Sequence, residues 1–234
     1  MVTKGMVYYS DNRLDPTIMR ACQAQLLKCV NSHRLVSVSL QPMNFGDNYI
    51  LDLERGPLTM HKQILIGLEM MDTDIVYLVE HDILYSPSHF DFIPPYAHNW
   101  VYYNTNIWRV RYPDGHAVWT DDLQQTSGLC AYRSVLLGFY RERIKKIERV
   151  GFDGHYEPGP KNSSLKTGNW QSEYPNLDIR HNGTLTHSKW SSAEFRNKKY
   201  AKGWRETDSV EGWYEQGEFS KLLEVDRVCL GDKL

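Results

Sequence analysis

An apolar run, Ile75-Val76-Tyr77-Leu78-Val79, stops abruptly at Glu80-His81-Asp82. A strand that is apolar toward both sides must be covered on both sides, which is the habit of a central strand in a parallel sheet. The residues before it agree. Residues 6–10, Met-Val-Tyr-Tyr-Ser, read as a buried strand. Asp15-Pro16 is a helix start, because Asp can cap the first turn and Pro has no N–H to leave unpaired there. Ile18, Cys22, Leu26 and Cys29 then recur at helical spacing. Val36, Val38 and Leu40 alternate with serines as a second strand, and Gly46-Asp47-Asn48 marks a loop. Gly56-Pro57 opens another helix, with Leu58, Leu65, Leu68 and Met71 toward the core. Strand, helix, strand, helix, strand predicts an α/β fold: a mostly parallel sheet flanked by crossover helices.

After Asp82 the pattern changes. Residues 107–112 and 117–120 flank Pro113-Asp114-Gly115, a turn signal that predicts a hairpin. Leu136, Tyr140, Ile144 and Ile147 mark a helix whose other face carries Arg141, Glu142, Arg143, Lys145 and Lys146, expected to be solvated. Residues 151–169 are rich in Gly, Pro, Asn and Ser and read as a long functional loop. Residues 177–180 make a last short strand. From Ser191 onward the chain is polar and aromatic without a regular period.

The 234 residues fit one domain. Within it the pattern divides the chain into 1–82, 83–190 and a tail or lid over 191–234. A net charge of −2 argues against broad binding to nucleic acid. No apolar run reaches the roughly 20 residues of a transmembrane helix. The first ten residues lack the apolar segment and cleavage site of a signal peptide, so a cytoplasmic location is expected. Cys22, Cys29, Cys130 and Cys229 show no Cys-x-x-Cys spacing and are expected to be small buried apolar residues.

Glu80 and Asp82 are two apart, so on a strand they face the same way, with His81 opposite and expected to be structural. In open α/β sheets, ligands bind beyond the carboxyl ends of the strands. Two carboxylates there are costly unless exposed, paired or metal-bound. Simple strand ends that reach solvent would also account for them. Oxygen ligands of this kind suit Mg²⁺ or Mn²⁺, shared with substrate phosphates. Tyr9, Ser10, Asp11 and Asn12 follow the first strand at the same sheet edge and are candidates for a nucleotide pocket. Tyr8 or Tyr9 would stack on a base, and Asp11 would accept a base or ribose hydrogen bond. Lys62, Lys189 and Arg13 are further cations that could reach phosphate. The sequence holds neither a Gly-x-Gly-x-x-Gly fingerprint nor a P-loop.

The order of these features resembles the GT-A class of nucleotide-sugar-dependent glycosyltransferases. The βαβαβ opening is followed by a strand ending in an acidic triplet, here Glu80-His81-Asp82, similar to the Asp-x-Asp motif of the class. Downstream, Thr126-Ser127-Gly128-Leu129-Cys130-Ala131-Tyr132-Arg133 is similar to the small-residue strand before the acceptor-side helix. The resemblance implies a Rossmann-like GT-A sheet with an added hairpin and C-terminal loops, in which 1–82 are the nucleotide-binding half and 83–190 the acceptor and metal half. It implies a nucleoside-diphosphate sugar donor, uridine-linked, and a glycan or other hydroxyl acceptor. It also implies a metal held by Asp82 first, then Glu80, with a late histidine. His187 fits that place and His181 competes for it. An inverting enzyme would need a general base. Glu173 lies where the class often has one; Asp121 and Asp122 are the other candidates, or would bind donor sugar hydroxyls. A retaining enzyme needs no such base, and spacing leaves the two open. A metal-dependent nucleotidyltransferase or phosphohydrolase, or a non-catalytic nucleotide- or carbohydrate-binding module, are the rival readings.

Overall fold

The computed structural model describes residues 2–30, 33–181 and 201–224. Its first part runs β1 (Lys4–Ser10), α1 (Pro16–Val30), β2 (Arg34–Ser39), β3 (Asp47–Ile50), α2 (Pro57–Met70) and β4 (Ile75–Glu80). Asp15 caps α1 by accepting the Thr17 N–H at 2.7 Å. One difference from the sequence pattern is β3, which occupies part of the expected loop. It is an edge strand paired only with β2. Its polar sequence is explained by Asn48, whose side-chain amide donates to Ser37 and Ser39 Oγ, each at 2.9 Å.

The rest of the described chain adds β5 (Ile83–Leu84), β6 (Trp100–Asn104), β7 (Ile107–Arg111), β8 (Ala117–Trp119) and β9 (Leu129–Tyr132). Then follow α3 (Arg133–Val150), β10 (Lys166–Trp170), β11 (Asn176–Arg180), β12 (Arg205–Thr207) and a short α4 (Phe219–Leu223). The expected hairpin is β7–β8, closed by Arg111 clamped on Asp114 at 2.6–3.0 Å. The expected long loop ends early, because its last residues form β10 against β6. Both β10 and its neighbour escape the pattern: β10 is an edge strand with no apolar alternation, and β6 lies outside the strand–helix rhythm that precedes Asp82.

Seven strands form one sheet in the order β10-β6-β9-β4-β1-β2-β3. The β1/β2, β1/β4, β2/β3 and β6/β10 pairings are parallel, and β9 alone runs against its neighbours β4 and β6. A second sheet has the order β12-β8-β7-β11-β5. The architecture is the expected one, a mostly parallel sheet flanked by helices with an added hairpin.

On one face of the large sheet, Val7, Val36, Val38 and Leu78 pack against Ile64 and Leu68 of α2 and Leu136 and Tyr140 of α3. On the other, Met6, Ile75 and Val79 share a cluster with Leu26 and Cys29 of α1. The opposite side of α1, Ile18 and Cys22, packs on Val110, Leu177 and Ile179 of the second sheet. α1 is thus the element wedged between the sheets. Each such aliphatic chain contributes about 1.5–3 kcal/mol by leaving water. Cys22, Cys29 and Cys130 are buried free thiols, and Cys229 lies outside the described residues. Arg143 departs from the expected solvated face: it is only 3 % exposed and pairs with Asp153. Among the described residues, no helix is long and apolar enough to cross a membrane.

Candidate functional site

β1 and β4 lie side by side and end together, with Tyr9 opposite Glu80. Beyond these carboxyl ends the chain turns through Ser10–Asn12 on one strand and His81-Asp82 on the other. A cavity of about 330 Å³ opens there. The ends of β1 and β4, the first turns of α2, the segment before β9 and the second sheet all contribute walls. This is the place at which parallel α/β sheets take ligands.

His81, Asp82 and His181 converge in it. One potential ligand atom from each lies within 4.8 Å of the others. His181 Nε2 is 3.4 Å from Asp82 Oδ2. Asp82 is 8 % exposed, and its Oδ1 has no hydrogen-bond partner among the described residues. A buried acceptor left unpaired costs about 1–3 kcal/mol, more when charged, so this oxygen calls for a ligand. Ser10 Oγ holds His81 through Nδ1 at 2.7 Å, which leaves Nε2 available to a ligand. Burial holds His81 below the ordinary histidine value, which keeps it neutral and able to coordinate. Burial works against ionisation of Asp82. The hydrogen bond with His181 and the positive Arg180 nearby outweigh it, so the carboxylate stays below its usual value. Two imidazoles and one carboxylate fit a divalent first-row metal.

The strand-parity argument holds for Glu80 and fails one residue later. β4 ends at Glu80, and His81 and Asp82 belong to a turn, so alternation no longer aims them. His81 consequently joins the cluster instead of pointing away. Glu80 lines the same cavity, but its Oε1 takes the Tyr9 hydroxyl proton in a hydrogen bond. Burial and the Asp82 charge push the Glu80 carboxyl well above the usual range. His187 and Lys189 lie outside the described residues.

Tyr9, Ser10 and Asp11 line the cavity as expected, with Asp11 ion-paired to Arg55 Nε. Asn12 does not line it. Its Oδ1 accepts the Leu40 and Gln41 N–H groups at 2.9 and 3.0 Å and so ties the end of β1 to the end of β2. Lys62 is outside the cavity, paired with Glu148 at 2.8 Å. Glu173 is exposed in the turn before β11. Asp121 and Asp122 are exposed too, and Asp122 accepts from Asn169 Nδ2 at 3.2 Å. None of these three acids lines the cavity, although Leu123, Gln124 and Gln125 beside them do.

Sequence reasoning missed Arg55, Arg109, Glu157, Asp178 and Arg180, all of which line the cavity. A signal existed for two of them. In β11, Leu177 and Ile179 alternate with Asp178 and Arg180, and the whole strand is buried. Charged residues on one face of a buried strand must meet partners or a ligand. Arg180 donates to Asp178 Oδ2 at 3.2 Å, and Gln125 Nε2 donates to the same oxygen at 2.8 Å. Arg109 is 1 % exposed and donates to Thr120 Oγ1 at 2.9 Å. Burial pulls its guanidinium down to about 10, against the opposing charge of Asp178.

No family model matches the sequence, and no curated protein matches it. Among solved structures, the chain is similar to a glycosyltransferase involved in the glycosylation of the major capsid of PBCV-1. Identity is 10 %, coverage 78 % of this chain and 94 % of that one, and the TM-score 0.48. It is also similar to the inositol-1-phosphate CTP transferase from T. maritima, with 11 % identity, coverage of 76 % and 89 %, and a TM-score of 0.40.

Proposed function

We propose that the chain is a metal-dependent glycosyltransferase that moves a sugar from a nucleoside-diphosphate sugar to an acceptor hydroxyl. The observation that carries this reading is the orphaned Asp82 Oδ1, buried beside two imidazoles in a cavity that Arg109 and Arg180 also line. A site for a dication next to fixed guanidinium charge is what a diphosphate requires. His81, Asp82 and His181 would hold the ion, which when bound acts as a Lewis acid on diphosphate oxygens. The two imidazoles favour Mn²⁺ over Mg²⁺, which prefers oxygen ligands throughout. Uridine is carried over from the resemblance of the Glu80-His81-Asp82 segment to the GT-A class.

The chain's own groups account for the rest of the task. Arg109 and Arg180 favour the negative charge that builds on the departing diphosphate. Ser10 and Asp11 offer hydrogen bonds to the nucleoside where β1 ends. Tyr9, Asp82 and Arg109 are each less than a tenth exposed, so the donor would sit away from bulk water and be protected from hydrolysis.

Calorimetry with UDP in the presence and absence of Mn²⁺, followed by UDP release from a panel of UDP-sugars, tests the reading. Binding is expected to need Mn²⁺ and to be lost in Asp82→Asn. Metal-independent binding that survives Asp82→Asn would refute it in favour of a simple binding module. Release of pyrophosphate from a nucleoside triphosphate, without UDP release from any sugar donor, would favour nucleotidyl transfer.

A further inference from the structure

Five carboxylates among the described residues line the cavity: Asp11, Glu80, Asp82, Glu157 and Asp178. Four of them are committed. Asp11 pairs with Arg55, and Glu80 accepts from Tyr9. Asp82 belongs to the histidine cluster, and Asp178 accepts from Arg180 and Gln125. Glu157 alone makes no ion pair and no hydrogen bond to another side chain among the described residues. Keeping such a group half-buried works against stability, so its position asks for a use.

Its backbone is fixed from several sides. Tyr103 OH donates to the Pro158 carbonyl at 2.6 Å, and Asn162 Nδ2 donates to the Glu157 carbonyl at 3.0 Å. The Tyr156 ring stacks over His61 with centroids 6.2 Å apart. Arg143, buried in α3, holds the segment just before it through Asp153 and the His155 carbonyl. The segment 151–165 therefore does more than connect α3 to β10. It presents, at the wall of the cavity, one carboxylate that has only backbone hydrogen bonds, from Tyr156 and Glu157 itself, and no side-chain partner among the described residues. Burial also raises the Glu157 carboxyl above its usual value, which strengthens it as a proton acceptor.

We propose that Glu157 is the general base that takes the proton of the acceptor hydroxyl, an assignment that rests on the glycosyl-transfer reading above. As the acceptor oxygen bonds to the anomeric carbon, its proton passes to the Glu157 carboxylate. The bond between that carbon and the diphosphate oxygen breaks, and its electron pair leaves with the nucleoside diphosphate. A single displacement of this kind inverts the anomeric configuration.

The test compares wild type with Glu157→Gln. It follows UDP release from UDP-hexoses offered to a panel of methyl glycosides, Mn²⁺-dependent UDP binding by calorimetry, and the anomeric configuration of the product by NMR. The expected result is a product of inverted configuration, a fall in kcat of at least about a hundredfold, and UDP affinity within about threefold of wild type. A smaller fall in kcat, a retained configuration, or loss of UDP binding along with turnover would each overturn the assignment while leaving wild-type transfer intact. Wild type that turns over no UDP-hexose would overturn the transfer reading itself, and the base with it. Where Glu157→Gln does not fold, Glu157→Asp, which draws the carboxyl back by one methylene, is judged by the same split between kcat and UDP affinity.

Discussion

His181 Nε2 lies 3.4 Å from Asp82 Oδ2, which joins the residue just past β11 to the turn just past β4. The contact brings the two sheets together at the cavity. It also places an imidazole beside a buried carboxylate whose other oxygen, Oδ1, has no partner among the described residues. Replacing His181 by Ala, or Asp82 by Asn, is expected to weaken Mn²⁺ binding at least tenfold, read from free Mn²⁺ by electron paramagnetic resonance. A His181→Ala protein that binds Mn²⁺ like wild type would remove the cluster as a metal site.

Arg109 separates metal binding from nucleotide binding. Its guanidinium lines the cavity but is not one of the three clustered residues. Arg109→Met keeps most of the buried stem and deletes the charge. A hydrogen bond to a charged group is worth about 1.5–3 kcal/mol, so UDP affinity is expected to fall about 10- to 100-fold. Mn²⁺ affinity without nucleotide should hardly change. Titration calorimetry of both ligands decides, and equal losses in the two would show that Arg109 supports the cluster and not the diphosphate.

Two buried histidines contribute to the acid sensitivity of the fold. Burial holds His61 down to about 4, despite the opposing hydrogen bond to the Pro57 carbonyl, and holds His89 down to about 3. The unfolded chain protonates each near pH 6.5. Below that pH the unfolded state carries more protons than the folded one, so acidification favours unfolding. Stability present above pH 6.5 is lost from there down to about pH 4 for His61 and about 3 for His89. The slope is up to about 1.4 kcal/mol per pH unit for each residue. His61→Phe keeps the ring packing against Tyr140, Phe152 and Tyr156 and should flatten the urea-derived stability profile between pH 6.5 and about 4. An unchanged slope would place the acid sensitivity elsewhere.

The sequence discloses the parts of this molecule in which one local pattern dominates. The 75–79 run is apolar toward both sides because α2 and α3 cover one face of β4 and the α1 layer covers the other. The acidic triplet can be recognised because that run stops so sharply. Edge strands escape notice: β3 and β10 satisfy only one side of their backbone from the sheet and carry polar, partly exposed side chains. The cavity is harder to read because its walls come from both sheets and from several loops far apart in sequence. Glu157 is drawn to the site by Tyr103, Asn162 and Arg143, none of them adjacent in sequence. Glu173, by contrast, lies near a site residue in sequence and is exposed in space.

Two helical glycines should respond to alanine with opposite signs, and the difference tests how α2 is seated. A Cβ on Gly67 would overlap Val7 Cγ1 and lie 3.4 Å from Val38 Cγ2, so this glycine sets how closely α2 approaches β1 and β2. The same helix reaches the cavity through Gln63, whose side chain donates to the Ser10 carbonyl at 2.7 Å and the Val38 carbonyl at 3.1 Å. Gly67→Ala must lift the helix or distort the valines, which is expected to cost about 1–3 kcal/mol. In a chain of this size that lowers Tm by roughly 2–4 °C per kcal/mol. Gly138 sits on the exposed side of α3, where an added methyl would meet no atom within 4 Å. Gly138→Ala therefore gains helix propensity without a clash and should stabilise by about 0.4–1 kcal/mol. Calorimetric melting of the two variants gives the comparison. A Gly67→Ala protein as stable as wild type would show that α2 can ride further from the sheet than its contact with Val7 implies, and the Gln63 tie to Ser10 would then be too loose to fix the cavity wall.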